Sequence, residues 1–197
     1  YPRGAENPST LRILIDGVDV VRKEIGGGEY LDIADRDGPA GKKVIHASTP
    51  SFKGSHVTGY SSMVASFVQH FAKSSGKKLK QVNLIPSFVE PSDMSEIKHI
   101  AESMGVKYVM LPDTSDVVNG PMDGKFRMYP KGGTTLEGIK SMGDSIRTIA
   151  LGRTGSMAAA KLLDTQCKVP CDLIDLPIGV KATDAFVDAL RKTAGAA

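Results

Sequence analysis

From Lys42 onward the sequence repeats one unit about five times: a short apolar run rich in β-branched residues, a turn, and an amphipathic helix. Alternation of such runs with helices is typical of βαβ units, in which the strands lie parallel and the helices cover the sheet. The sequence therefore predicts an α/β fold, a Rossmann-like parallel sheet of about five βα units with helices on both faces. The predicted strands are Lys42–Ala47, Val82–Ile85, Lys107–Leu111, Arg147–Leu151 and Leu173–Leu176.

Residues 1–41 lack this regularity. The stretch Leu11–Val21 is compatible with a strand, a helix, or one followed by the other, and the glycine-rich residues 26–29 and 35–41 are typical of linkers. We therefore predict two parts: an irregular N-terminal segment, residues 1–41, that is a remnant of a preceding domain, and a Rossmann-like α/β domain, residues 42–197.

The composition excludes several classes of partner. With 41% hydrophobic residues, 24% charged residues and a net charge of +3, the chain is neither disordered nor a polyelectrolyte. Its lysines are scattered, and its few aromatic residues are not interleaved with arginine, so we expect no nucleic acid partner. No apolar run approaches the ~20 residues of a membrane span, and no signal peptide is evident. We expect a cytoplasmic protein without a membrane partner.

Two cysteines, Cys167 and Cys171, are too few for a disulfide framework or for a set of four thiolate ligands. We expect them to pack as small buried side chains, with Cys167 at the end of a helix and Cys171 at the start of a strand.

One connection between a predicted strand and a predicted helix is rich in residues that could bind a ligand or take part in catalysis. The run His46–Tyr60 follows the first predicted strand and contains glycines, a proline and several hydroxyls. Ligands of open α/β sheets lie beyond the carboxyl ends of the strands, so this run is either a ligand-facing loop or an ordinary βα connection. A serine nucleophile, Ser51 with His46 or His56, is disfavoured because no Gly-x-Ser-x-Gly sequence surrounds Ser51.

Two other segments are candidate sites. Gly152–Ser156, at the start of a helix, could hold an anion through its backbone N–H groups, although a tight turn with Ser156 as helix cap is the commoner structure. The fingerprints of dinucleotide and P-loop sites are absent. The long irregular stretch Pro112–Gly133 carries apolar residues near its far end, which favours either contact with another surface or a packed Ω-loop.

Seven short motifs of this sequence together are characteristic: Thr49–Tyr60, Asn83–Pro86, Glu96–Lys98, Met104–Gly105, Phe126–Tyr129, Gly132–Thr135 and Pro177–Gly179. In order and spacing they resemble the beta chains of nitrogenase molybdenum-iron proteins. The resemblance extends over about Lys42–Ala197, and it implies the middle one of three Rossmann-like α/β domains.

The resemblance implies a cofactor site in the longer parent protein. In the family the serine of the Thr-Pro-Ser-Phe motif lies beside the P-cluster, an iron-sulfur cluster between alpha and beta chains, and its oxygen ligates iron when the cluster is oxidised. That serine is Ser51 here, the one predicted metal ligand, and we expect Phe52 and Gly54 beside it to be cofactor-binding. The implied partners are a nitrogenase alpha chain and, transiently, an ATP-dependent iron protein.

The family's three cluster cysteines lie in the preceding domain, so we expect no cofactor in this chain alone and no activity of the isolated 197 residues, although the parent is an oxidoreductase. The chain is either a piece of a longer beta chain or a divergent relative without the cluster. The function implied is support of the P-cluster in electron transfer for dinitrogen reduction. The alternatives are a nitrogenase-like cofactor-assembly scaffold and a metal-free small-ligand binding α/β module.

Overall fold

The structure, a computed structural model, describes residues 9–15, 18–25, 45, 47, 49, 54–127 and 130–194. The chain divides into two units, Tyr1–His46 and Ala47–Ala197, which are described separately. Within the described ranges, no helix combines the length and the apolar character that crossing a membrane requires.

The first unit contains an antiparallel hairpin of β1 (Ser9–Ile15) and β2 (Val18–Ile25). The pairing shifts register between Ile13 and Leu14. Of the possibilities left open for Leu11–Val21, the structure has strands on both sides of Asp16-Gly17, a pair that favours tight hairpins. The remainder of residues 1–41 lies outside the described residues, and the predicted domain boundary stays a prediction.

The second unit is built on a sheet of four parallel strands in the order β4-β3-β5-β6. The strands are β3 (Leu79–Ile85), β4 (Tyr108–Met110), β5 (Ser145–Leu151) and β6 (Cys171–Ile174), and the helices are α1 (His56–Phe71), α2 (Pro91–Ser103), α3 (Ser115–Val118), α4 (Leu136–Ser141), α5 (Arg153–Cys167) and α6 (Val180–Ala194). A short 3₁₀ turn, Met142–Asp144, precedes β5. The α/β fold is confirmed.

The expected fifth strand is not confirmed. Four of the five predicted strands correspond to β3–β6, whereas the first, Lys42–Ala47, falls mostly outside the described residues. Ile45 and Ala47, the members of that run that the structure describes, are not in a strand. The sheet of the described residues therefore has four strands.

Two hydrophobic cores lie on the two faces of the sheet, as the prediction of helices on both faces requires. On one face, Val64 and Val68 of α1 share a core with Ala159, Ala160 and Leu163 of α5. The alanines let these two helices approach closely. On the other face, Met94 and Ile97 of α2 and Phe186 and Leu190 of α6 share a second core with strand residues such as Leu84 and Ile149.

A buried polar network joins β3 to β5. The Asn83 side chain is fully buried, and its amide donates to the Met142 carbonyl oxygen at 3.0 Å and to Thr148 Oγ1 at 3.1 Å. Its oxygen accepts from Ser145 Oγ at 2.7 Å. Because each of these groups would lose a partner if the network slipped by one residue, Asn83 fixes the register of β3 against β5.

We predict that Asn83→Ala destabilises the chain by about 2–4 kcal/mol, because buried hydroxyl and carbonyl groups on β5 and the 3₁₀ turn lose their partner. Urea unfolding measures the change. The matched control is Asn119→Ala, since the Asn119 amide donates to Ser95 at an exposed position, and its expected effect is below about 0.5 kcal/mol. Equal losses in the two variants would contradict the role assigned to Asn83.

Candidate functional site

The topology of the sheet marks one edge as the candidate site. From β3 the chain moves outward to β4 and then returns to the other side of β3 to form β5. In open α/β sheets, ligands bind beyond the carboxyl ends of the strands at the point where the strand order reverses. Here that point lies beyond Ile85 of β3 and Leu151 of β5.

The start of α1 is fixed at this point. The Tyr60 hydroxyl donates to the carbonyl oxygen of Ser87, two residues past the end of β3, at 2.5 Å. The Phe88 ring lies edge-on to both His56 and Tyr60, with ring centroids 5.2 Å apart in each pair. Burial raises the pKa of Tyr60 to about 12, so the phenol stays protonated and remains a donor at neutral pH.

Ser87, Gly152 and Gly155 pack closely beyond the ends of β3 and β5. Ser87 has a φ of 63°, a left-handed conformation that is uncommon for a residue with a side chain. Gly155, in the first turn of α5, lies so near that a Cβ there would overlap the Ser87 hydroxyl. A Cβ on Gly152 would lie 3.4 Å from the same hydroxyl.

This packing bears on the anion site considered for Gly152–Ser156. Gly152 lies at contact distance from Ser87 and Leu176, so protein atoms occupy the space beside this turn. The cap predicted there is wrong, because Gly152 is the N-cap and Ser156 lies inside α5, where its hydroxyl donates to the Gly152 carbonyl oxygen at 2.5 Å. Glycine occupies the cap because that residue has a φ of 71°.

Of the predicted site residues, the structure describes Gly54. Ser51 and Phe52 lie outside the described residues, as does His46. Gly54 precedes α1, and a Cβ there would overlap the hydroxyl of Thr58, which donates to the Ser55 carbonyl oxygen at 2.6 Å. Gly54 therefore has a local reason to be glycine: it leaves room for the Thr58 hydroxyl in the first turn of α1.

The described residues hold no group of three or more His, Cys, Asp or Glu side chains that could bind a metal ion. The two cysteines lie at the end of α5 and the start of β6, away from the carboxyl ends of the strands. Burial raises the pKa of the Cys171 thiol to about 11 and also raises that of Cys167. Cys167 is buried in the core between α1 and α5, as predicted, whereas Cys171 is half-buried and packs against that core.

The stretch Pro112–Gly133, predicted to be irregular, contains the short helix α3. Its base is held by a lysine whose role the sequence analysis missed. Lys98 of α2 places its Nζ 2.9 Å from Asp113 Oδ2, 2.6 Å from Asp116 Oδ1 and 2.9 Å from Ser115 Oγ. Asp116 Oδ2 accepts from the backbone N–H of Gly133 at 3.1 Å, so one carboxylate joins the two ends of the loop. We call this arrangement the Lys98 clamp.

The clamp explains the Gly132-Gly133 pair. A Cβ on Gly132 would lie 2.6 Å from the Asp116 Cβ, and one on Gly133 would lie 2.5 Å from the Asp113 carbonyl oxygen. Both glycines also have positive φ values. The Lys98 hydrogen bond and the one from Gly133 lower the pKa of Asp116. Burial opposes the charge on Lys98, but its hydrogen bonds and attraction to Asp116 and Asp113 outweigh burial and raise its pKa.

Comparison with known proteins gives the family. The family model described as nitrogenase component 1 type oxidoreductase matches residues 28–197. The chain belongs to this family. It is 48% identical over 157 residues to the nitrogenase molybdenum-iron protein beta chain of Clostridium pasteurianum, a match that covers 80% of this chain and 34% of that protein.

Other relatives agree. The chain is 39% identical over 153 residues to the nitrogenase vanadium-iron protein beta chain of Trichormus variabilis, over 78% of this chain and 33% of that protein. The solved structure of nitrogenase Cp1 at pH 6.5 matches with a TM-score of 0.77 and 48% identity, over 80% of this chain and 34% of that one. The resemblance to nitrogenase beta chains is thus confirmed, and the chain spans about a third of the length of these relatives.

We predict that Tyr60→Phe lowers the free energy of unfolding at pH 7 by about 1 kcal/mol, because the hydrogen bond to Ser87 is lost. The substitution should also change how the free energy of unfolding depends on pH in alkaline solution. An unfolded tyrosine ionises near pH 10, whereas Tyr60 ionises near 12. Between these values the unfolded chain holds fewer protons, so stability falls as pH rises, and it should fall less steeply without the phenol. Parallel curves for the two proteins from pH 10 to 12 would contradict this.

We predict that Lys98→Met loosens the base of the long loop, because Asp113 and Asp116 then face each other without a cation. Trypsin should cleave after Lys125 and Arg127 about tenfold faster, corresponding to the ~1.4 kcal/mol of one charge-assisted hydrogen bond. The control is Lys107→Met, at an exposed lysine directly before β4, and it should leave the cleavage rate unchanged. Equal rates for the Lys98 variant and its control would rule out the clamp.

Proposed function

We propose that this chain is the middle α/β domain of a nitrogenase beta chain and that its Thr49–Gly59 segment supports the P-cluster during electron transfer toward dinitrogen reduction. The observation that carries the proposal is the 48% identity to a molybdenum-iron protein beta chain over 80% of this chain. The fold supports it, because α1, which begins within this segment, starts where the strand order of the sheet reverses.

This chain would supply one ligand to the cluster. The bound cluster would supply the electron-transfer chemistry, and the Ser51 oxygen would ligate iron in the oxidised state, because a deprotonated hydroxyl is a harder ligand than thiolate and favours the more oxidised iron. The described residues do not provide a ligand set of their own. The other ligands would come from the cysteines that the family places in the preceding domain.

The neighbouring residues would control the surroundings of that ligand. Phe52 would keep water away from the cluster, which affects its potential. Gly54 would allow close approach of the backbone, in addition to the room that it leaves for Thr58. Tyr60 and Phe88 would hold the start of α1, and with it the direction in which the segment leaves the helix.

The proposed partners follow from the same role. A cluster shared between chains requires a nitrogenase alpha chain, and electron delivery requires transient binding of an ATP-dependent iron protein. The second candidate is a cofactor-assembly scaffold of the same family. Ser51 favours the beta chain, because the scaffold proteins resemble this region with an aspartate at that position.

We predict that Ser51→Ala, made in the full-length beta chain purified with its alpha chain, raises the midpoint potential of the oxidised P-cluster couple while the iron content is retained. The reason is that loss of a hard oxygen ligand disfavours oxidised iron. Anaerobic redox titration followed by electron paramagnetic resonance measures the potential. The control is Ser55→Ala, at an exposed hydroxyl that makes no side-chain cap to α1.

Two results would reject the proposal. An unchanged potential in Ser51→Ala, equal to that of the control, would remove Ser51 from the cluster. A colourless, iron-free full-length protein would remove the cluster itself and would favour the metal-free α/β module.

A further inference from the structure

The first two turns of α1 contact the chain on both sides of Ser51. After Ser51, Gly54 lies against Thr58, whose hydroxyl would overlap a Cβ on Gly54. Before Ser51, Thr49 lies against Gly59, because a Cβ on Gly59 would be 3.7 Å from Thr49 Cγ2 and 3.9 Å from Thr49 Cβ. Thr58 and Gly59 are neighbours in the helix. The described residues on either side of 50–53 therefore lie against the same part of α1.

Chain length limits where Ser51 can lie. Ser51 is two residues from Thr49 in the sequence and three from Gly54. Two residues of extended chain span at most about 7 Å, so a fixed Thr49 keeps the Ser51 backbone near α1. The position of Ser51 therefore depends on the contacts that Thr49 and Gly54 make with this helix.

The contact with Thr49 gives Gly59 a reason to be glycine. Gly59 lies inside α1 and is not among the glycines with a positive φ, and glycine inside a helix is less favourable than alanine. Outside its own helix, the described atoms within 4 Å of a Cβ on Gly59 all belong to Thr49. A methyl group would fit there at an ordinary contact distance, whereas a longer side chain would take the space that Thr49 occupies.

The next residue joins this part of α1 to the sheet. The Tyr60 hydroxyl donates to the Ser87 carbonyl oxygen, and Ser87 in turn packs against Gly155 in the first turn of α5. Direct contacts therefore lead from Thr49, through Gly59 and Tyr60, to the carboxyl end of β3. A change at Gly59 moves Thr49 relative to a helix that is itself fixed.

We propose that Gly59 is a positioning residue for the Ser51 ligand: its bare backbone lets Thr49 pack on α1, and this contact sets the distance from the Ser51 oxygen to the cluster. The inference rests on the proposed function for the existence of the cluster. For the positioning itself it rests on the contacts that Thr49, Gly54 and Tyr60 make. Gly59 acts through Ser51 and is not itself a ligand.

Redox titration of the full-length beta chain, purified with its alpha chain, tests the positioning. Gly59→Leu should raise the midpoint potential of the oxidised P-cluster couple toward that of Ser51→Ala, with the iron content retained. The matched control is Gly59→Ala, which should leave the potential unchanged because its Cβ fits at 3.7 Å from Thr49. Both leucine and alanine favour a helix more than glycine does, so weakening of α1 is not a cause of the difference. An unchanged potential in Gly59→Leu would overturn the proposal.

A double variant tests whether Gly59 acts through Ser51. Ser51→Ala combined with Gly59→Leu should have the potential of Ser51→Ala alone, because the positioned oxygen is already absent. Shifts that add in the double variant would overturn the positioning role. An unchanged potential in Ser51→Ala alone would instead reject the cluster role of Ser51, which is the proposed function.

Hydrogen exchange of the same complex measures the positioning independently of the cluster role. The amides of residues 51–54 should exchange about tenfold faster in Gly59→Leu than in Gly59→Ala, while those of β3 keep their rates. Equal exchange in the two variants would show that Gly59 does not position the segment.

A second pair of variants makes the same comparison if Gly59→Leu does not assemble. Thr49→Ser removes the Cγ2 methyl that lies nearest to Gly59, whereas Thr49→Val keeps a methyl there. Exchange of residues 51–54 should be faster in Thr49→Ser than in Thr49→Val, and the reverse order or equal rates would contradict the proposal.

Discussion

The hydrogen bond from the Tyr60 phenol to the Ser87 carbonyl oxygen joins two parts of the chain that the candidate site depends on. Tyr60 belongs to the first turns of α1, which begins within the Thr49–Gly59 segment, and Ser87 lies two residues past the end of β3. The Phe88 ring packs against His56 and Tyr60 on the same side. Together these contacts fix the start of α1 where the strand order reverses, which is the position that α/β sheets use for ligands.

That arrangement requires strands whose ends are aligned. The buried Asn83 network holds β3 against β5, and the two apolar cores hold helices on both faces. Ser87, Gly152 and Gly155 can then pack closely beyond the strand ends. In the described residues these three occupy the point beyond the ends of β3 and β5, and the chemistry proposed for the chain lies in the segment before α1.

The elements with strong local patterns were predictable. The parallel strands β3–β6 follow from short apolar runs, and the end of α5 at Cys167 and the start of β6 at Cys171 agree with the sequence analysis. The polar start of β3, Leu79–Gln81, was missed because this end of the strand is mostly exposed and carries no apolar run.

Predictions that depended on distant partners were less successful. Thr134 and Glu137 have the three-residue spacing of a capping box, which predicts Thr134 as the cap of α4. Its hydroxyl instead accepts from the Asp113 N–H and donates to the Met110 carbonyl oxygen, and Thr135 caps the helix. Lys98 could not be recognised as a clamp, because its partners come close only once α2 and β4 are placed side by side. The Tyr60 contact likewise spans 27 residues of chain.

The central claim is that the segment leading into α1 presents the Ser51 oxygen to an iron-sulfur cluster. A crystal structure of the anaerobically oxidised full-length complex with its alpha chain measures this directly. The account predicts that Ser51 Oγ lies within bonding distance of an iron atom and that the Tyr60 to Ser87 hydrogen bond is retained. An oxidised cluster whose irons are all ligated by other residues, with Ser51 turned away, would contradict it.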